Sequence, residues 1–149
     1  MKNFLLVLCL LCCHIIVSEC SLQEVAERFE IPVVLMIECT DRAGISEPEL
    51  LQYFSDSDIS FKHWRRTDFI GKVGCFLFCI HEKEGLMTGT IIHIEKLIGA
   101  MSSIMDMNSE KGVRMQKAMK ECGENVKGKQ DPCEVALVFR ECVYSIMRS

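Results

Sequence analysis

The sequence lacks the residue patterns that the common hydrolytic and nucleotide-binding classes require. The segment His81-Glu82-Lys83-Glu84-Gly85 begins like the zinc-protease motif H-E-x-x-H, but glycine stands where the second histidine ligand is needed. There is no G-x-S-x-G nucleophile motif and no glycine-rich loop that would hold a phosphate. The calcium loop and His-Asp pair of secreted phospholipases A2 are also missing. We therefore expect no catalytic activity, no cofactor and no metal site.

An excess of positive charge is absent as well. The chain carries 17 Lys and Arg residues against 21 Asp and Glu residues, a formal net charge of −4. It has no basic patch interleaved with aromatic residues, which is the usual footprint of a nucleic-acid-binding surface. We therefore expect no nucleic-acid partner. No Asn-x-Ser/Thr sequence occurs, so N-glycosylation is not expected.

One long apolar run occurs, and it lies at the amino terminus. Lys2 is followed by an almost entirely apolar stretch from Phe4 to Val17 and then by small residues. This order is typical of a secretory signal peptide, and the run is too short to span a membrane comfortably. The pattern predicts a signal peptide over residues 1–20, a single domain over residues 21–149, and secretion into the extracellular fluid.

Removal of the signal peptide leaves an even number of cysteines. Of the ten in the chain, four precede residue 21, and six remain at positions Cys39, Cys75, Cys79, Cys122, Cys133 and Cys142. Six cysteines in a secreted chain predict three disulfides, although spacing alone does not choose their pairing. The alternative is a metal site at the Cys-x3-Cys pair. It is disfavoured because no second close Cys/His pair is present to complete a zinc site.

The segment Gly74–Ile80 has no charged side chain and places Cys75 and Cys79 four residues apart. If it is helical, the two cysteines lie on one face and reach two different neighbouring segments. A short apolar run rich in Phe is also compatible with a strand. Helical spacing on both sides favours a buried helix from about Asp68 to Lys83, tied to two neighbours.

Helix starts recur along the chain. Ser21 and Ser46 are each followed three residues later by Glu, which is the capping-box pattern. Asp131-Pro132 predicts a third start, with Asp as N-cap and Pro in the first turn. Pro32 should kink or split the first helix, because proline removes a backbone hydrogen bond.

Apolar stripes at helical spacing account for most of the remaining sequence. One stripe contains Ile91, Ile94, Ile98, Met101 and Met105; another contains Met115, Met119, Cys122 and Val126; the last contains Val135, Phe139, Cys142 and Ile146. The patterns together predict an all-α domain of about six short helices with no convincing strand. Flexible Met side chains recur in these stripes and suit surfaces that accept varied apolar shapes, although each also suits an ordinary core position.

The cysteine spacing and several short segments resemble the insect odorant-binding protein family. The spacing is Cys39-x35-Cys75-x3-Cys79-x42-Cys122-x10-Cys133-x8-Cys142, and the x3 and final x8 intervals are similar to those of the family. The segments Ser21–Val25, Trp64-Arg65 with Asp68-Phe69, and Val73-Gly74-Cys75 resemble the moth pheromone-binding and general odorant-binding branch. The resemblance covers the whole of residues 21–149.

The resemblance implies a fold, a pairing and a function. It implies a helical fold around an internal hydrophobic cavity, held by three interlocking disulfides. Their pairing would be Cys39–Cys79, Cys75–Cys133 and Cys122–Cys142. It implies a monomer or weak homodimer that carries small hydrophobic volatile or lipid-like ligands, such as odorants or pheromones, towards a membrane odorant receptor. The cavity-lining residues it implies are Val25, Phe29, Phe61, Trp64, Leu77, His81, Met101, Met115, Met119, Val135, Phe139 and Val143.

His81 occupies the position where family members often place a small polar residue that binds the ligand's head group. A histidine there is bulkier and is expected to titrate near pH 6.5. The tail after Cys142 is shorter than in the moth pheromone-binding proteins, whose tail can insert into the cavity at low pH. We expect no tail-insertion switch, so any pH effect would have to come from His81 or His93.

Two other functional classes remain open from the residues alone. A secreted helical signalling protein that acts on a receptor would have a filled core and purely structural cysteines. A large cavity favours a ligand carrier, whereas a solid core with a large exposed apolar patch favours a signalling protein. A secreted hydrolase ranks third, because no nucleophile–base pair can be assembled from the spacing.

Overall fold

The computed structural model describes residues 21–28, 30–55 and 68–149. Within these residues, seven α-helices and one two-stranded sheet form, which confirms the all-α class. The helices are α1 Leu22–Arg28, α2 Val33–Ala43, α3 Glu47–Ser55, α4 Asp68–Lys83, α5 Ile94–Met101, α6 Glu110–Asn125 and α7 Pro132–Arg148. The strands are β1 Met87–Thr88 and β2 Ile91–Ile92. The predicted signal peptide lies outside the described residues.

The predicted helix starts are confirmed by side-chain hydrogen bonds. The Ser21 hydroxyl accepts a bond from the Glu24 N–H at 3.3 Å, and the Glu24 carboxylate accepts one from the Ser21 N–H at 3.3 Å. The Ser46 N–H donates to the Glu49 carboxylate at 2.9 Å. The Asp131 carboxylate accepts a backbone N–H bond at 2.9 Å. Each of these bonds satisfies a backbone donor that has no partner within its own helix.

Pro32 splits the amino-terminal helical region into two helices. Helix α1 ends at Arg28, and α2 begins immediately after the proline, at Val33. Glu30, between the two helices, has a φ of 55°, a left-handed conformation that cannot continue a helix. This break accounts for the additional helix relative to the six that the sequence pattern indicates.

The stripe that begins at Ile91 is only partly helical, which corrects the expectation of no strand. Ile91 lies in β2, where it pairs with Thr88 across a tight hairpin. Gly89, inside this turn, has a φ of 57°, which glycine adopts without steric cost. Helix α5 then ends at Met101, so Met105 also lies outside it. A six-residue hairpin, residues 87–92, therefore interrupts a spacing that continues to look helical.

Helix α4 is the buried centre of the fold, as the apolar segment Gly74–Ile80 predicts. It packs against α2 and α7, and two of its cysteines form the expected covalent links. The three disulfides are Cys39–Cys79 between α2 and α4, Cys75–Cys133 between α4 and α7, and Cys122–Cys142 between α6 and α7. This is the pairing that the family resemblance implies. Among the described helices, none combines the length and apolar character needed to cross a membrane.

The core is continuous from α1 to α7. Its most deeply buried large side chains are Met36, Leu50, Val73, Phe76, Met87 and Val135, each less than 2 % exposed. Partly buried apolar residues of α5, α6 and α7 pack against this cluster without closing over it completely. The incompletely filled region is a pocket among helices α2 to α7.

Candidate ligand-binding site

A pocket of about 310 Å³ lies among helices α2 to α7. Among the described residues that line it, only His81, Arg140 and Tyr144 carry polar side chains, and the others are apolar. The apolar lining residues are Ile31, Met36, Phe54, Phe76, Leu77, Ile80, Leu97, Met101, Met115, Met119, Phe139, Val143 and Met147. A concave apolar wall with a few polar groups is the usual form of a small-molecule site.

Helical periodicity explains why these residues converge. On α4 the lining positions are 76, 77, 80 and 81, and on α6 they are 115 and 119. On α7 they are 139, 140, 143, 144 and 147. Residues three or four positions apart share one face of a helix, so each helix turns a single stripe toward the pocket.

The pocket brings together most of the predicted lining residues that the structure describes. Those that line it are Leu77, His81, Met101, Met115, Met119, Phe139 and Val143. Val25 and Val135 are buried, at 5 % and 0 % exposure, but they do not line this pocket. Val25 and Val135 both belong to the buried core cluster, and Val135 lies two residues from the Cys75–Cys133 disulfide that joins α4 to α7. Phe29, Phe61 and Trp64 lie outside the described residues.

Arg140 and Tyr144 line the pocket but were not among the predicted residues. Each follows a predicted residue, Phe139 or Val143, and the two pairs share one face of α7 at four-residue spacing. That adjacency was a usable signal, because a face that includes positions 139 and 143 also covers part of positions 140 and 144. Arg140 and Tyr144 were not predicted because a pattern of apolar residues does not include arginine or a polar tyrosine hydroxyl.

Arg140 is held in place by Tyr53 of α3. Its guanidinium carbon lies 4.6 Å from the centre of the Tyr53 ring and 6.0 Å from that of Tyr144. One guanidinium nitrogen, Nη1, also donates a hydrogen bond to the Tyr53 hydroxyl. Burial raises the pKa of Tyr53 to about 12, although the Arg140 charge acts in the opposite direction. The phenol therefore stays protonated near neutral pH and remains available to accept this bond.

His81 is a neutral group in this pocket. Burial, and to a smaller extent the positive charge of Arg140, lower its pKa to about 4. This corrects the expectation that His81 titrates near pH 6.5. A neutral imidazole has one donor and one acceptor nitrogen, so His81 offers hydrogen bonds rather than charge. His93 does not line the pocket; its ring lies 2.8 Å from the Thr88 hydroxyl.

The polar groups suit recognition more than metal binding. Within the described parts of the chain, no cluster of three or more His, Cys, Asp or Glu residues could hold a metal ion. The six cysteines after residue 20 are all oxidised in disulfides. An imidazole, a guanidinium and a phenol at the edge of an apolar wall can orient a ligand through its polar end.

Comparison with known proteins supports a binding role. Residues 33–145 match the model of the PBP/GOBP family. The chain is 27% identical over 105 residues to the pheromone-binding protein Gp-9 of Solenopsis nigella gensterblumi, covering 70% of this chain and 67% of that protein. It is 33% identical over 93 residues to Gp-9 of Solenopsis globularia littoralis, covering 60% of this chain and 58% of that protein.

These relatives come from Solenopsis, so they support the family and not the moth branch in particular. No solved structure matches the chain at a significant level. The family match covers well over half of the chain, including α2 to α6 and most of α7. The chain therefore belongs to the PBP/GOBP family of insect odorant- and pheromone-binding proteins.

Proposed function

We propose that this protein binds small hydrophobic molecules in the pocket among α2 to α7 and carries them through extracellular fluid. The observation that carries the proposal is the apolar wall itself, which lines a pocket of about 310 Å³ within a disulfide-linked helical fold. Ligand pockets are typically about 300–1,000 Å³, so a small or slender molecule would fit. Membership in an odorant-binding family supports the same function.

The hydrophobic effect supplies enough free energy for useful binding. If ligand and wall together lose about 500 Å² of apolar surface, burial contributes roughly 12 kcal/mol at ~25 cal/mol per Å². Association and ordering cost at least about 4 kcal/mol. At most ~8 kcal/mol remains, which corresponds to a dissociation constant no lower than about 1 µM. Such an affinity permits both uptake and release.

Secretion is part of the proposal and rests on two features. The amino-terminal run has the form of a signal peptide, and all six cysteines that follow it are paired in disulfides. Disulfides persist mainly in oxidising compartments, including the extracellular space. The pocket weighs against the alternative of a signalling protein with a filled core.

Displacement of a hydrophobic fluorescent probe tests the carrier function. The protein is residues 21–149, refolded and oxidised, with the disulfide pairing verified by peptide mapping. Alcohols of graded chain length serve as competitors. We expect saturable one-site displacement with an optimal length, because an enclosed pocket limits the size of its ligand. If correctly disulfide-bonded protein binds no probe, the carrier function is wrong and the signalling alternative takes its place.

A further inference from the structure

The pocket contains one positively charged side chain among the described residues, that of Arg140, and its contacts with those residues are to neutral groups. The guanidinium of Arg140 contacts the ring and hydroxyl of Tyr53 and lies near the ring of Tyr144. Arg140 belongs to none of the ion pairs that the described residues form with one another. Charged groups in apolar surroundings are usually paired, because their loss of hydration is otherwise uncompensated.

The positive charge acts inside the pocket. Arg140 is the only charged residue that contributes to the lowered pKa of His81, which lies on the opposite helix α4. The negative charge of Glu141 contributes to the raised pKa of Tyr53, but Glu141 does not line the pocket. A polar ligand group near His81 would therefore experience a positive potential, and no acidic side chain among the described lining residues offsets it.

We propose that the pocket prefers amphiphiles with a carboxylate head group, such as medium-chain fatty acids, with the carboxylate on Arg140 and the alkyl chain along the Met and Phe wall. This inference rests on the proposed carrier function and specifies its ligand class. Among the described residues, one guanidinium nitrogen of Arg140 donates to the Tyr53 hydroxyl, and the guanidinium has further N–H groups that can bind the carboxylate. Tyr53 thereby acts as a positioning residue for the arginine.

A carboxylate gains more at this position than a neutral head group of similar size. Hydrogen bonds between ionised partners are roughly twice as strong as those between neutral ones, and guanidinium matches carboxylate geometry in two parallel bonds. A neutral alcohol or ester can accept a bond from Arg140 but does not neutralise it. Neutral His81 lines the same pocket, is close enough to Arg140 for that charge to affect its pKa, and can offer a second hydrogen bond.

The test compares three ligands with the same ten-carbon chain: decanoate, decanol and methyl decanoate. Each displaces a neutral fluorescent probe at neutral pH from the wild type, from Arg140→Met and from Arg42→Met. Arg42 is the matched control, because it is exposed, pairs with Glu82 and does not line the pocket. We expect decanoate to bind the wild type and Arg42→Met roughly tenfold more tightly than decanol. Arg140→Met should weaken decanoate binding roughly tenfold more than decanol binding, so that the preference for decanoate is lost.

A second measurement on the wild type needs no variant. Decanoate labelled with ¹³C at its carboxyl carbon is bound to the protein, and the carboxyl pKa is measured by NMR. Pairing with Arg140 stabilises the ionised form, so the bound carboxyl should titrate at lower pH than free decanoate.

The outcomes separate this inference from the carrier function. Failure of the wild type to bind the probe or any ten-carbon ligand would overturn the carrier function, and this inference with it. Equal competition by the three ligands would leave the carrier function standing and overturn the carboxylate preference. A bound carboxyl with an unchanged or raised pKa would also overturn it, even if Arg140→Met failed to fold.

Discussion

A β-carbon added to Gly74 would lie 2.5 Å from the carbonyl oxygen of Cys133, across the contact between α4 and α7. At the same contact, the Cys75–Cys133 disulfide joins Cα atoms 4.3 Å apart. The missing side chain at position 74 lets the two helix backbones approach at the point where they are covalently linked. Because α7 carries Arg140 and several other lining residues, this contact also positions one wall of the pocket.

Two glycines of α4 should respond oppositely to substitution by alanine. Gly74→Ala should destabilise the protein by about 1–3 kcal/mol, because the new methyl group collides with backbone rather than with a flexible side chain. Gly71→Ala should stabilise it by about 0.5–1 kcal/mol, because nothing lies within 4 Å and alanine favours a helix. Urea unfolding of the oxidised proteins measures both changes. Equal stabilisation by the two substitutions would contradict the close contact at Gly74.

Local features of the fold were predictable from sequence, whereas contacts between distant residues were not. The bounds Asp68–Lys83 and the N-caps at Ser21 and Asp131 depend on residues a turn apart. The hairpin at Gly89 was missed because its flanking isoleucines happen to fit a helical spacing. The disulfide pairing came from the family resemblance, since spacing allows several pairings.

The electrostatic part of the site was the least predictable. Tyr53 and Arg140 are 87 residues apart, so no local pattern indicates that they touch. The low pKa of His81 likewise depends on burial and on Arg140, which belongs to a different helix. The helical spacing of Met115 and Phe139 predicted that they belong to apolar stripes, and the family resemblance implied that these residues line a cavity.

His81 should make the protein less stable as the solution becomes acidic. Its pKa is about 4 when folded and 6.5 ordinarily, so the unfolded state binds more protons between these values. Its contribution to stability is therefore complete above pH 6.5 and declines as the pH falls toward 4. This lowering of the His81 pKa corresponds to at most about 3 kcal/mol of the free energy of unfolding.

Comparison of wild type with His81→Gln isolates this contribution. Glu84, whose pKa burial raises, contributes in the opposite direction, so the informative quantity is the difference between the two proteins at each pH. Thermal unfolding from pH 7.5 to pH 4 should show a steeper loss of stability for the wild type. If the two proteins lose stability in parallel over this range, His81 does not titrate as its burial indicates.

The disulfide that closes the longer segment should contribute more to stability. Cys75–Cys133 spans 58 residues, whereas Cys122–Cys142 spans 20. In the chain-entropy model, the longer loop contributes about 1 kcal/mol more, because it restricts the unfolded chain further. Replacing each pair by alanine and measuring urea unfolding gives the comparison. A larger loss from the shorter loop would show that native packing, rather than chain entropy, dominates.

Filling the pocket from α6 should shorten the preferred ligand. Met115 lines the pocket, whereas Val113 on the same helix is 56% exposed and does not. Met115→Trp should remove room for about two methylene groups, which costs roughly 1.6 kcal/mol, or ~15-fold in affinity, for the longest ligands. Val113→Trp adds the same side chain to the surface and should leave the length profile unchanged. If the dependence of affinity on ligand length shifts only in Met115→Trp, the ligand lies in this pocket. If it does not shift in folded Met115→Trp, the ligand binds elsewhere.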